Sequence, residues 1–316
     1  MVIIKTPLRL PLAGGGTDLP GFYQKFGSVF LSVAINRFIY LTAHRSGFSD
    51  KLRVRYSRME EVDDVEELEH DIVRESLKRH GIRNNLELTS HAEIPSGTGL
   101  GSSGSFGVGV LHALYALDGT WPSAELLARE ASDIQMNALS YPIGLQDQYV
   151  AAYGGLNLYE VSREGRVEVS PLGEPGEFNE LERRLVLFFT GYSREANQIL
   201  AHQEATDMTE TLKETARLGH EMIGALDSHD WDAYGRLLND HWHEKKKRHP
   251  NMSNPDIDAC YEKALECGAL GGKLVGAGGG GFLLFYSSTP EKLIRSIELK
   301  HVPFNFAREG SIILCR

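Results

Sequence analysis

From Glu93 to Leu117 the chain reads EIPSGTGLGSSGSFGVGVLHALYAL. A run of Gly, Ser and Thr empties into an apolar segment in which Phe106, Val110, Ala113, Leu114 and Leu117 recur at helical spacing. Gly97, Gly99 and Gly101 allow the backbone to approach a ligand closely, and Ser102 or Ser103 is suited to cap the helix. Unpaired N–H groups at a helix start, with the positive end of its dipole, form a site for phosphate. The plainer reading is a turn that only caps a helix. A cap needs one special residue, however, and this loop has many. No Gly-Lys-Ser/Thr follows, so it is not a Walker A loop, and its spacing is not that of a dinucleotide fingerprint.

The elements that must carry this loop can be read on either side of it. Strands are expected over Met1–Leu12, Val29–Ala43, Leu52–Tyr56 and Leu86–Ala92, the last feeding the loop directly. Helices are expected over Asp71–His80 and Ser123–Leu139, the second with Ser123 as cap. Glu60–Glu69 reads as an acidic, solvated stretch. Pro142–Gln148 leads into an Ala-Gly-rich turn and then strands through Val169. The Gly-, Pro- and Glu-rich segment Gly173–Glu177 is the expected domain boundary, which gives domains over 1–175 and 176–316. Beyond it come a strand at Leu185–Thr190, helices from Ser193 to His249 broken near Ser228–Asp230, and a helix at Ile257–Cys267. The chain closes with Lys273–Tyr286, a helix near Pro290–Leu299 and a strand at Ser311–Cys315. Strands and helices mix without strict alternation, which favours an α+β fold.

The composition sets limits. At 316 residues and 41% hydrophobic content, the chain can bury a sizeable core in two domains or one large one. A formal net charge of −10 argues against nucleic acid and membrane surfaces as partners. Cys260, Cys267 and Cys315 are too few and too scattered for a disulfide framework or a zinc site. No apolar run reaches membrane-spanning length and no signal-peptide pattern is present, so the cytoplasm is the expected compartment. A homodimer is compatible with the sequence.

Three segments, RLPLAGGGTD, PSGTGLGSS and KLVGAGGGGF, stand in this order with the segment ending at Asp147 between the last two. Together they resemble the GHMP kinases, the superfamily of galactokinase, homoserine kinase, mevalonate kinase and phosphomevalonate kinase. Within it the chain is similar to the heptose 7-phosphate kinase and fucokinase-like branch. That likeness rests on the triple glycine before Thr17-Asp18, IPSGTGLGSSGSF, PIGLQDQYVAAYGGLN and DHWHEKKKRHPNMSNPDID. It implies a two-domain fold, with an N-terminal α/β domain holding the glycine-rich phosphate loop and a C-terminal ferredoxin-like domain. The implied cofactors are ATP and Mg²⁺, and the implied partner is a small-molecule sugar or sugar phosphate. The reaction it implies is phosphorylation of the anomeric O1 of D-glycero-D-manno-heptose 7-phosphate to the 1,7-bisphosphate. Kinases of unphosphorylated fucose or galactose, or a catalytically inactive binding module of the same fold, are the alternatives.

The resemblance also assigns residues. Pro95, Gly97, Thr98, Gly99, Leu100, Gly101, Ser102 and Ser103 would cradle the nucleotide phosphates, with Ser103 preferred over Ser102 as a metal ligand. Asp147 would accept the acceptor's hydroxyl proton or orient that hydroxyl, and Arg9 would pair with Asp147. Taken singly, an Asp before Gln reads as a turn residue and an Arg in a first strand as a surface charge. Asp18 would grip vicinal sugar hydroxyls, with Thr17 and Gly16 beside it; an Asx-type turn is compatible with that role. Where many members place a metal-binding glutamate, this chain has Gln135, which can ligate Mg²⁺ without bringing charge; Glu130 is out of register to replace it. Lys245–Arg248 is the densest positive run and reads equally as a solvated helix end or as an anchor for a substrate's own phosphate. Lys246 and Lys247 are its central members. His241 and His243, two apart, do not share a helix face and read as packing or solvated residues. Gly276–Gly281 is expected to bring the C-terminal domain's backbone against the phosphate loop.

Overall fold

A computed structural model describes residues 1–174, 176–192 and 208–316. The first part of the helical stretch expected from Ser193 lies outside the described residues. In chain order the elements are β1 (Val2–Ala13), α1 (Pro20–Phe26), β2 (Ser28–His44), β3 (Leu52–Arg55), β4 (Met59–Val62), α2 (Asp71–Arg79) and β5 (Leu86–Ala92). Next come α3 (Ser102–Leu117), α4 (Ala124–Asp133), α5 (Gln146–Tyr153), β6 (Leu156–Val161), β7 (Val167–Pro171), α6 (Asn179–Arg184) and β8 (Leu185–Phe189). The rest is α7 (Thr209–Asp227), α8 (Trp231–Lys246), α9 (Pro255–Glu266), β9 (Ala269–Leu274), β10 (Phe282–Ser287), α10 (Pro290–Ser296), β11 (Lys300–His301) and β12 (Ile312–Cys315).

Two sheets organise these elements. The first has eight strands, in the order β12-β1-β2-β5-β3-β4, with β6 also on β2 and β7 on β6. β2 is long enough to serve two neighbours on one side: Ser28–Val33 pairs β6, and Ile39–His44 pairs β5. The second sheet has the order β11-β8-β10-β9, all antiparallel. Numbered within that sheet by chain order, the strands run 4-1-3-2, which is the ferredoxin-like arrangement expected. β12 returns from the end of the chain to pair β1, with Ile3 opposite Cys315.

α3 is apolar on every side and almost wholly buried, packed on β1 and β2 and flanked by α2, α4 and α5. A helix buried all round cannot shift without exposing core, so the loop at its start has a rigid base. Three details depart from the sequence reading. α4 ends at Asp133, and Ile134–Ala138 continues it as a π-helical turn. The Ala-Gly-rich segment after Asp147 is a helix, α5, and not a turn, because Tyr149, Val150, Ala151 and Ala152 bury against neighbouring elements. The acidic stretch after Met59 contributes β4, whose Glu61 meets Arg53 across the strand pair.

Candidate active site

The first turns of α3 and α5 meet above β1. Gly101 caps α3 in the left-handed conformation, φ 79°, with no side-chain capping bond. The expected serine cap is therefore a glycine cap, and both serines fall inside the helix start. Their hydroxyls are thus not spent on capping. Ser102 Oγ is buried without a partner, and Ser103 Oγ donates to Gln135 Oε1 at 3.3 Å. Asp147 lies in the first turn of α5, against Gly104 of α3: a Cβ on Gly104 would stand 2.6 Å from the Asp147 Cβ. Glycine at that position is what lets the carboxylate reach the loop.

Arg9, buried on β1, joins the two helix starts. Its Nε donates to Asp147 Oδ1 at 2.7 Å, and one terminal nitrogen lies 2.6 Å from the same oxygen. The other terminal nitrogen donates to the Gly99 carbonyl at 2.5 Å, while the Arg9 backbone N–H donates to the Leu100 carbonyl. One guanidinium thus fixes both the carboxylate and the loop. Thr98 and Leu100 are fully buried and anchor the loop from behind, Thr98 through a bond to the Pro95 carbonyl.

The turn after β9 closes on the loop from the other side, as expected. A Cβ on Gly276 would stand 2.5 Å from the Gly99 Cα, and one on Gly281 would stand 2.1 Å from the Thr98 carbonyl oxygen. Lys245 braces this turn by donating to the carbonyls of Leu274 and Gly276.

Asp18 accepts the backbone N–H of Gly16 through Oδ1 and that of Gln146 through Oδ2, so it ties the glycine turn after β1 to the start of α5. Burial pushes its carboxyl pKa up, and the neighbouring Asp147 charge adds to the rise. Each oxygen keeps a lone pair beyond these bonds, as the Asx-turn reading allowed. Thr17 does not face the site. It is fully buried, and its hydroxyl is taken up by the Gly14 carbonyl and Ser28.

Arg9, Gly16, Asp18, Pro95, Gly97, Gly99, Gly101, Ser102, Ser103, Gln135 and Asp147 all line one cleft of about 1260 Å³. Phe106 stacks on His70, which meets Tyr56 edge to face, and all three rings line the cleft. Gln135 is fully buried in its π-helical turn. Its amide donates to the Ser103 carbonyl and accepts from Gln148, and Gly107 leaves room for it. Glu130, five residues before Gln135, is held by the Tyr115 hydroxyl.

The basic run is rearranged relative to expectation. Lys246 pairs with Asp258 and lies over Trp242, and Lys247 pairs with Glu244; neither lines the cleft. Lys245 and Arg248, three apart, are the inward members, joined by His241 of the same helix and Lys273 of β9. Sequence reading singled out Lys246 and Lys247 within the run rather than Lys245 and Arg248, took His241 as a packing or solvated residue, and assigned Lys273 no role of its own. The signal was present, since Leu238, His241, Trp242 and Lys245 follow the i, i+3, i+4, i+7 stripe of a buried face.

Residues 68–155 match the family model for the GHMP kinases N terminal domain, and residues 222–302 the one for GHMP kinases C terminal. The chain belongs to the GHMP kinases. It is 31% identical to a D-glycero-alpha-D-manno-heptose 7-phosphate kinase of Campylobacter jejuni, over 97% of this chain and 96% of that one. It is 28% identical to a bifunctional fucokinase/GDP-fucose pyrophosphorylase of Arabidopsis thaliana, over 92% of this chain but 30% of the relative. Among solved structures, a D-glycero-D-manno-heptose 1-phosphate kinase of Bacteroides thetaiotaomicron superposes with TM-score 0.82 at 25% identity, covering 100% of this chain and 99% of that one. As a GHMP kinase the protein is an ATP-dependent phosphotransferase. Among the described residues no helix is long and apolar enough to cross a membrane.

Proposed function

We propose that this GHMP kinase transfers the γ-phosphate of ATP to the anomeric O1 of D-glycero-D-manno-heptose 7-phosphate, giving the 1,7-bisphosphate and ADP. The observation that carries the chemistry is the Arg9–Asp147 pair set against the phosphate loop. The acceptor O1 attacks the γ-phosphorus as the bond to the β,γ-bridging oxygen breaks. Asp147 takes the O1 proton or holds that hydroxyl in line, and Arg9 keeps the carboxylate oriented while offering positive charge to the migrating group. Backbone N–H groups of Gly97–Ser103 at the start of α3 cradle the triphosphate. Asp18 accepts sugar hydroxyls with its remaining lone pairs, and Gly16 keeps that approach open. Thr17 supports the turn from behind.

The oxygen donors near the loop fit Mg²⁺ held chiefly by the nucleotide. Among the described residues no cluster of three His, Cys, Asp or Glu stands ready for a metal, whereas Ser102 presents an unpartnered hydroxyl and Ser103 and Gln135 present oxygens beside it. Bound there, the ion would neutralise phosphate charge. The need for ATP supports a cytoplasmic place for the reaction.

An ATP-consumption screen over free and phosphorylated sugars, repeated with Asp147→Asn, tests this reading. Turnover confined to the heptose 7-phosphate and abolished in the variant is expected. Equal or better turnover of fucose or galactose would replace the substrate, and no turnover on any sugar would leave a binding module.

A further inference from the structure

The inner end of the cleft holds more buried positive charge than the transfer step uses. Lys245, Arg248 and Lys273 are each more than nine-tenths buried, as is His241, and all four face the cleft. Their bonds leave donors over. Lys273 gives one to the Leu12 carbonyl at 3.2 Å, and Arg248 gives two, to the Gly15 carbonyl and Thr215, with its Nε unpartnered. Neither ring nitrogen of His241 has a partner. The solvated neighbours Lys246 and Lys247 each have an acid, while among the described residues no carboxylate forms an ion pair with the buried set.

Buried cations without counter-charge are costly, and a protein keeps them only where something else supplies the charge. The groups that face Lys273 are Arg248, Lys245 and His241 from α8 and its end and Arg9 from β1, while the carboxyls of Glu244 and Asp18 lie near Arg248 without forming an ion pair with it. Burial, with Arg248 and Arg9 adding to it, brings Lys273 down to about 7; burial, with Lys273, Arg248 and Lys245 adding to it, holds His241 well below its ordinary value. Gly16 is the matching gap: a Cβ there would stand 2.4 Å from an Arg248 terminal nitrogen, so only glycine leaves that guanidinium open beside Asp18.

We infer that the phosphate already carried by the acceptor sugar binds as a dianion against Arg248, Lys273 and His241, with Lys245 as the strut that fixes the glycine turn behind it. This rests on the sugar-phosphate reading above and assigns its discriminating residues. Binding of the dianion would also draw protons onto Lys273 and His241, since added negative charge favours their charged forms.

The test is calorimetric titration of the full chain, without nucleotide, with heptose 7-phosphate and with unphosphorylated heptose. Titrations at pH 8 use two buffers of different ionisation heat. The phosphorylated sugar should bind at least about tenfold more tightly and take up protons, as a charge-assisted contact set requires. Lys273→Met should remove most of both effects and change binding of the free sugar by less than about threefold. If Lys273→Met does not fold, His241→Leu, whose ring bonds to nothing, reads the same split. Equal affinity for the two sugars, or parallel loss of both in the variants, overturns the assignment. So does a variant that raises the KM for ATP instead. Tight, proton-coupled binding of the sugar phosphate with no turnover would leave this subsite standing and remove the kinase reaction proposed above.

Discussion

Gly99 and Gly276 touch backbone to backbone across the two halves of the molecule, so that the phosphate loop is clamped by a turn belonging to the other sheet. A methyl group on Gly276 would meet the Gly99 Cα at 2.5 Å, and the residue also sits at φ +76°. Gly276→Ala should therefore cost about 1–3 kcal/mol by overpacking and strain. The loop would be pushed from its place, raising the KM for ATP more than that for the sugar. Steady-state kinetics in both substrates, with a thermal melt, checks this; an unchanged KM for ATP would show that the contact does not set the loop.

Asp147→Asn removes the charge and keeps the shape beside Arg9 and Gly104. A fall in kcat of about 10²–10⁴ is expected, the usual worth of a positioned acid or base. Nucleotide affinity should change little, because the loop's backbone holds the phosphates. Equilibrium binding of a non-hydrolysable ATP analogue separates the two effects.

Gln135→Glu tests why an amide occupies this place. The Gln135 amide donates to the Ser103 carbonyl, and a carboxylate there would set oxygen against oxygen in a buried position. Loss of that donor with a desolvated acceptor left behind costs about 1–3 kcal/mol. The variant should melt lower than the native protein in EDTA, and Mg²⁺ with ATP should recover part of the difference. A variant as stable as the native protein in EDTA would mean that the Ser103 contact contributes nothing.

Lys273 gives a pH prediction with a definite sign. Its folded pKa is about 7, below the ordinary lysine value of 10.5, so between these limits the unfolded chain binds the proton and the folded one does not. Stability then rises with pH across that window, by up to about 1.4 kcal/mol per pH unit from this group. Lys273→Met should flatten the rise between pH 7 and 9. Chemical denaturation of both proteins at several pH values measures the difference in slope; parallel slopes would count against a neutral Lys273.

Sequence patterns carried the kinase motifs and most long elements because both are local. The loop from Pro95 to Ser103, the strand β2 and the helix α2 each announce themselves within a short window. Other features depended on partners far away. The α5 segment looked like a turn because Gly154 and Gly155 follow its two alanines so closely, and burial of Tyr149 and Val150 decides it. Lys246 and Lys247 looked central in a charged run, but helix phase turns them outward and brings Lys245 and Arg248 in. Lys273 reads in sequence as one letter of a glycine motif. Its place opposite Leu12 and Arg248 exists only once the two sheets are assembled.

The pairing of β12 with β1 has a consequence for how the protein comes to be made. Thr6 and Ser311 share a hydrogen bond across 305 positions of chain, and His112 of α3 joins them through the same serine. The strand that carries Arg9 is thus flanked by a segment far along the chain from it. A nascent chain can form the ferredoxin-like half while the nucleotide-gripping half still lacks its edge, and so closing this loop of high contact order is expected to be the slow step. Catalytic competence would then wait on the docking of β12 against β1.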